Sequence, residues 1–287
     1  MKKVILFGAT GHLGFQIALE LQRQGFWVRA AVRDITKVEK LKSVVHECVA
    51  VDFLNPKSVE NAFNGVDALI SALGKSVSPN DGSKPSFEAI DFGINTLLID
   101  IAKAKNIKKI VYISAFDAEK HPELAYFNTH FRVEQHLINS GVDFSIIKPV
   151  AIMSSFQDLV SMANKGQLST IGSGQSRTNP IAEHDLAAVC VDSILQKNAT
   201  IEVGGKTTYT RGEINEIIQK HSAPNKKVYK MPLFILKIML PIIKIINKNM
   251  YDKFAFFAAV TQKDCIAPQI GNTNLEMYLD KIKVSEA

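Results

Sequence analysis

The stretch AYFNTHFRVEQHL, residues 125–137, places Tyr126 four positions before His130. In a helix that spacing stacks the two side chains on one face, one turn apart. A tyrosine hydroxyl held there can donate a proton to a developing alkoxide, provided a neighbouring cation brings its pKa down from about 10. Histidine supplies that cation weakly, because its reference pKa of about 6.5 leaves it mostly neutral at pH 7. Three readings follow: an acid with a muted helper, a site that uses another acid, or a helix face without chemistry. A polar histidine on a helix flank beside a half-buried aromatic is the plain packing alternative.

A second constellation lies at the other end of the chain. VILFGATGHLG, residues 4–14, sets Gly8, Gly11 and Gly14 after an apolar run and at the opening of an amphipathic one. The first glycine permits a tight turn and the second lets backbone approach a pyrophosphate. The third allows close helix–strand contact, while the helix N-terminus favours negative charge. Thr10, His12 and Leu13 share this loop and belong to the same candidate dinucleotide site.

The elements that must position these groups alternate short apolar runs with longer amphipathic ones up to about residue 149, which is βαβ order. Strands are expected at Val4–Phe7, Trp27–Val32, Val49–Val51, Ala68–Leu73, Ile110–Ile113 and Phe144–Ile147. Each is apolar almost throughout, as parallel strands covered on both faces require. Helical stripes run through Leu13, Ile17 and Leu21, and through Ile94, Leu97, Leu98, Ile101 and Ala102. The expected fold class is α/β, a doubly wound parallel sheet with a small C-terminal lid over a substrate. Residues 1–150 would form the nucleotide-binding core and 151–287 the lid and the completion of the sheet. Within the latter, Glu183–Leu195 reads as a helix, Ala199–Val203 as a strand and TYTRGEINEIIQKH as a turn and short helix.

Composition sets bounds on function. Hydrophobic residues make up 46% and charged residues 22%, so the chain has the means to build a core and lacks the signature of disorder. A net charge of +6 is spread along the sequence, and no nucleic-acid recognition motif accompanies it, so nucleic acid is not an expected partner. Cys48, Cys190 and Cys265 are far apart and form neither a CxxC pair nor a Cys/His cluster, which points to a reducing cytoplasm and no metal. The apolar run after Lys2 and Lys3 enters glycines at once, so a secretion signal is not expected.

The spacing GATGHLG, the run FRVEQHLINSGVDFSIIKPV and the strand end IVYISAFDA together resemble the atypical short-chain dehydrogenase/reductases of the NmrA-like, NAD(P)H-binding group. The resemblance covers about residues 1–220. It implies a Rossmann core and an oxidoreductase that reduces a carbonyl or activated double bond of a small, largely apolar substrate. An alternative is a catalytically silent NADPH sensor or assembly protein. The run after Tyr126 fixes the register: Tyr126 stands at the family's tyrosine, His130 at its lysine and Ser114 at its serine. Ser114, Tyr126 and His130 are thus the candidate catalytic set.

At the end of the second strand, AAVRD places Arg33 where NADP-binding members carry an arginine for the 2′-phosphate, with Lys37 as a second cation. Asp34 keeps an NAD reading open, but NADP is the first reading. Asp52 and Phe53 match the pair beside the adenine, Ser71, Ala72, Leu73 and Gly74 the segment under the riboses, and Pro149 and Val150 the nicotinamide face. Asn95 matches a family asparagine, although a helix-surface amide reads equally well. Met153, Phe156, Leu159 and Met162 supply apolar bulk for a substrate or simply pack. His121, His136 and His184 read as surface or capping residues.

The segment MPLFILKIMLPIIKIINKNM opens an apolar helical tail, about 231–260, but its lysines and Pro241 argue against a membrane span. A thin polar stripe suggests cover nearly all round, in a substrate pocket or a homodimer interface if the protein is not a monomer. Contact with a membrane surface comes second. The ending APQIGNTNLEMYLDKI resembles that of reductases related to divinyl chlorophyllide reductase.

Overall fold

A computed structural model describes residues 2–286, with side-chain burial described through residue 282. Its centre is a sheet in which Lys3–Phe7 (β1), Trp27–Val32 (β2), Glu47–Ala50 (β3), Ala68–Ser71 (β4), Lys109–Ile113 (β5) and Asp143–Pro149 (β6) stand in the order β3-β2-β1-β4-β5-β6. Every pairing along that series is parallel. The order reverses direction at β1 and β4, so a crevice opens at the strands' carboxyl ends, where such sheets bind ligands. All six expected strands are present, each shifted by no more than a few residues. A seventh, Ala199–Val203, lies beyond β6 at the edge.

The helices His12–Arg23 (α1), Pro56–Ala62 (α2), Asn95–Ala104 (α3) and Ala125–Ser140 (α4) make the crossovers. Their apolar stripes close on the sheet, as the 3.6-residue period demands. Ile5, Phe7, Leu69, Ile110, Tyr112 and Ile146 from the strands pack with Leu98, Ala102, Val133 and Leu137 from the helices. Directly before α3 the chain winds as a π-helix over Glu88–Ile94. Side chains take over carbonyls there: the Asn95 amide donates to the Asp91 carbonyl at 2.7 Å, and the Thr96 hydroxyl donates to that of Phe92 at 2.9 Å. π-Helical turns recur at functional positions because they re-aim one side chain without ending the helix.

The chain divides into two compact units. The first comprises residues 1–75, 85–148 and 186–201; the second comprises 76–84, 149–185 and 202–287. Assignment of 76–84 to the second unit has a visible cause in the buried Lys253. Its ammonium donates to the carbonyls of Ser78 and Asp81 at 2.7 and 2.6 Å and lies 3.2 Å from the Asp81 carboxylate. The second unit has its own core of Phe156, Leu168, Tyr209, Ile214, Ile218 and Leu275. Its Arg211–Ser222 helix begins with a reciprocal capping box between Thr210 and Glu213.

Candidate functional site

The glycine loop is built as close packing dictates. Gly8 has φ +84°, and a Cβ there would meet the Ala72 carbonyl oxygen at 2.5 Å; one on Gly14 would meet the Gly8 carbonyl oxygen at 2.0 Å. Both positions hold the end of β1 against its neighbours so tightly that only glycine fits. A Cβ on Gly11 would meet nothing nearer than 3.4 Å. The freedom kept at Gly11 therefore faces outward, and Thr10, Gly11 and His12 are exposed while Leu13 is half-buried. Helix α1 has no side-chain cap and no acid in its first turn, so its first N–H groups and positive dipole end face that opening. These features fit a dinucleotide pyrophosphate, which would be held by backbone N–H groups of residues 10, 12 and 13, the Gly11 N–H being spent on the Gly8 carbonyl at 3.0 Å.

At the end of β2, Arg33 is exposed and Asp34 is turned back on its own chain. Asp34 Oδ1 accepts from the Thr36 N–H at 3.0 Å and from its hydroxyl at 2.6 Å, capping the turn Ile35–Lys37. The Thr36 hydroxyl, its N–H and the Lys37 charge lower the Asp34 pKa. Lys37 lies 3.6 Å from Asp34 Oδ2. At the end of β3, Asp52 accepts from the Leu54 N–H at 2.9 Å, and the Phe53 ring packs 6.1 Å from that of Phe7.

The loop after β4 is pinned from below. The buried Ser71 hydroxyl donates to Asn95 Oδ1 at 2.5 Å, and the Asn95 amide reaches the Leu73 carbonyl at 3.3 Å. Ala72 donates its N–H to the Phe7 carbonyl, Gly74 is exposed, and the Lys75 N–H points at both Asp91 carboxylate oxygens at 3.2–3.3 Å. Asn95 is thus an internal clamp rather than a surface amide. Pro149 and Val150 belong to the second unit, where the Val150 N–H donates to the Val203 carbonyl at 3.1 Å. There Met153 and Phe156 are buried, and Leu159 and Met162 pack against the core.

The face of α4 that carries His130 turns into a buried network, with Tyr126 half-buried beside it. His130 Nδ1 lies 2.7 Å from the Tyr112 hydroxyl, and its Nε2 is 3.5 Å from Asp91 Oδ1, so either tautomer faces a partner on both sides. Burial, and then the Lys148 charge, push the His130 pKa down to about 3, which makes it a neutral imidazole at any physiological pH. Burial raises the Asp91 carboxyl to about 8 despite the Lys75 N–H and ammonium. Tyr126 packs edge-on against His130 and Phe87, with ring centroids 4.7 and 5.6 Å away. Burial, followed by Asp91, pushes its phenol well above the ordinary value. The cationic help expected of position 130 is therefore absent.

Ser114 engages elsewhere: its hydroxyl donates to Glu134 Oε1 at 2.5 Å. The other oxygen of Glu134 lies 3.4 Å from the buried Lys148 ammonium, which sits 2.5 Å from Glu119 Oε2. Burial raises the Glu134 pKa against the pull of Ser114 and Lys148. The three expected catalytic residues thus belong to two adjoining chains, Tyr112–His130–Asp91 with Tyr126 against it, and Ser114–Glu134–Lys148–Glu119. His136 pairs with Asp100 at 2.7 Å on the surface, His121 faces Glu123 at 3.3 Å, and His184 meets the Thr273 hydroxyl at 2.8 Å.

A family model described as NAD(P)H-binding matches residues 8–197. The chain belongs to this NAD(P)H-binding family. The NmrA-like resemblance agrees with that membership, and the relatives of this NAD(P)H-binding protein span two kinds of role. Photosystem II assembly factor Ycf39 of Trieres chinensis is 25% identical over 262 residues, covering 88% of this chain and 80% of that protein. Divinyl chlorophyllide a 8-vinyl-reductase of Arabidopsis thaliana is 28% identical over 270 residues, covering 85% of this chain and 63% of that protein. Among solved structures, NADPH-dependent quinone oxidoreductase QOR2 of Escherichia coli with NADPH superimposes with a TM-score of 0.75 at 18% identity, covering 98% and 99% of the two chains. Triphenylmethane reductase of Citrobacter sp. with NADP(H) gives 0.73 at 18% identity, covering 97% and 99%. At that identity the likeness is one of fold.

Tyr112, Asp91, Lys148 and Glu119 do not stand out in the sequence as members of a site, and Glu134 serves there only to fix the register. Two of them do leave a local signal. Lys148 interrupts the apolar run FSIIKPV, and Tyr112 is the one hydroxyl within KIVYI. A polar atom inside a strand covered on both faces must find a partner, which is what these two do.

Proposed function

We propose that this NAD(P)H-binding, oxidoreductase-family protein is an NADPH-dependent reductase of conjugated, electron-poor acceptors. These are small, largely apolar molecules whose carbonyl or activated double bond yields a stabilised product on receiving hydride. The observation that carries this reading is the neutral His130, held between Tyr112 and Asp91 with the Tyr126 phenol made less acidic beside it. Reduction of a simple ketone creates a strongly basic alkoxide and needs a well-placed acid with a lowered pKa. This chain provides the opposite. An acceptor that delocalises the incoming charge makes no such demand. The neighbouring structures of an NADPH-dependent quinone oxidoreductase with NADPH and a triphenylmethane reductase with NADP(H) support the direction of this reading.

For the cofactor, the bound nicotinamide would supply the hydride, and the chain's task is to hold it. Arg33 is exposed at the end of β2 while Asp34 is committed to Thr36 and Lys37, so the charge offered to an adenosine ribose is positive, as a 2′-phosphate requires. Arg33→Ala is expected to weaken NADPH at least tenfold and NADH less than threefold by fluorescence titration; equal losses would remove the NADP assignment.

The reaction is tested by following NADPH absorbance with quinones and enones alongside simple ketones. Turnover confined to the conjugated set, changed less than about threefold by Tyr126→Phe, is the expected result. Turnover of ketones abolished by Tyr126→Phe would instead make Tyr126 the acid. Tight NADPH binding with no oxidation on any acceptor would favour a silent assembly or sensor protein. The same buried network and the similarity to an assembly factor support that second reading.

A further inference from the structure

The most apolar helix of the chain, Leu233–Ile246 in the second unit, buries only Leu236. Ile245 and Ile246 are 88% and 78% exposed, and Phe234, Ile238 and Ile242 are exposed with them. At 100° per residue, Phe234, Ile238, Ile242 and Ile245 share an arc of about 80° on the side away from Leu236. Lys237 and Lys244 line one flank of that arc, and Met239 and Ile246 widen the other. A contiguous apolar band of this kind marks a surface meant to be covered.

Charge identifies the cover. Between Glu216 and Asp252 there are seven lysines, at 220, 226, 227, 230, 237, 244 and 248, and no aspartate or glutamate. Lys248 pairs with Asp252 at 2.9 Å and Lys244 lies 5.2 Å over the Tyr251 ring, while Lys230 and Lys237 are exposed. A second copy is a poor occupant. Two-fold antiparallel pairing of this helix would lay each lysine flank along the same flank of its mate, like charge against like. The helix is also too short to cross a bilayer: its 14 residues span roughly 21 Å against a core of about 30 Å. No helix among the described residues is long and apolar enough to do so. We infer that Leu233–Ile246 docks in the plane of an anionic bilayer surface, with Phe234, Ile238, Ile242 and Ile245 below the headgroups and the lysines among them.

The test is flotation of the full chain with mixed phosphatidylglycerol–phosphatidylcholine vesicles and with phosphatidylcholine alone. The protein should float with the mixed vesicles and remain largely behind with the neutral ones. Ile238→Glu combined with Ile242→Glu should abolish flotation, and Lys237→Gln combined with Lys244→Gln should lower partitioning roughly 30-fold. Unchanged far-UV circular dichroism and NADPH affinity would show that both variants are folded. Failure of the parent protein to float, or equal flotation with both vesicle types, overturns the inference. So does a concentration-dependent dimer in sedimentation velocity that Ile238→Glu dissolves while no vesicle binding is seen, which would assign the face to a second copy.

Discussion

The helices Ala125–Ser140 and Leu233–Ile246 invert each other. The first reads as polar and reactive, with a tyrosine, two histidines, an arginine and a glutamate in sixteen residues, yet His130 is buried and Tyr126 half-buried against it. The second reads as core, and its apolar side faces out. Side-chain type states what a residue prefers; the neighbouring elements decide what it receives. Position 130 shows how far this goes. Tyr112 from β5 and Asp91 from the π-helical turn supply two polar partners, so an imidazole is buried without charge.

The sharpest way to break the contrast is a lysine on each helix. His130→Lys places an ammonium in the buried network near the existing Lys148 charge. A loss of about 3–5 kcal/mol of stability is expected in urea unfolding. Gain of turnover with retained stability would mean that the site is wet and that position 130 only lacked its cation. Tyr112→Phe, which removes the partner of His130 Nδ1 and leaves a buried ring nitrogen unpaired, should cost about 1–3 kcal/mol in the same measurement.

Asp91→Asn tests the network through pH. The folded-state pKa of Asp91 is raised to about 8, so the native state keeps a proton that the unfolded chain releases above its ordinary value near 4. Its contribution to stability is therefore fully present only at low pH and is lost as pH rises through about 8. His130 acts in the opposite sense, since its folded pKa of about 3 makes stability fall as pH drops below 6.5. Between about 4 and 6.5 the two slopes oppose one another, which leaves the range above 6.5 to Asp91. Between pH 6.5 and 8 the parent should lose roughly 1–2 kcal/mol relative to Asp91→Asn. A constant difference across that range would show Asp91 ionised in the fold.

The smallest effect belongs to the second helix. Ile242→Lys should change stability by less than about 0.5 kcal/mol, as an exposed substitution does. A loss of several kcal/mol would show that this face is covered within the folded chain.

The central strands were legible because each is an apolar run between turn residues, and burial on both faces leaves little choice of side chain; the edge strands Glu47–Ala50 and Ala199–Val203 are only partly buried and carry a weaker pattern. The glycine loop was legible for the same kind of reason, since Gly8 and Gly14 sit where a Cβ would strike backbone. Arg33 and Asp34 were visible as a pair but not as a decision. Only the fold turns Asp34 toward Thr36 and leaves Arg33 outward. Asp91 gave no sign of itself, because its partners at Lys75 and His130 lie 16 and 39 positions away and nothing in FEAIDFGIN sets it apart from a surface acid.

By itself, then, the sequence determined the strand order's raw material, the phosphate-binding turn and the register that lines Tyr126 up with His130, since all three depend on local sterics and periodicity. Tertiary structure decided the ionisation of His130 and Asp91, the diversion of Ser114 to Glu134, and the exposure of the Phe234–Ile245 face. Those properties follow from which distant chain segment excludes water or presents a charge, and no local pattern encodes that.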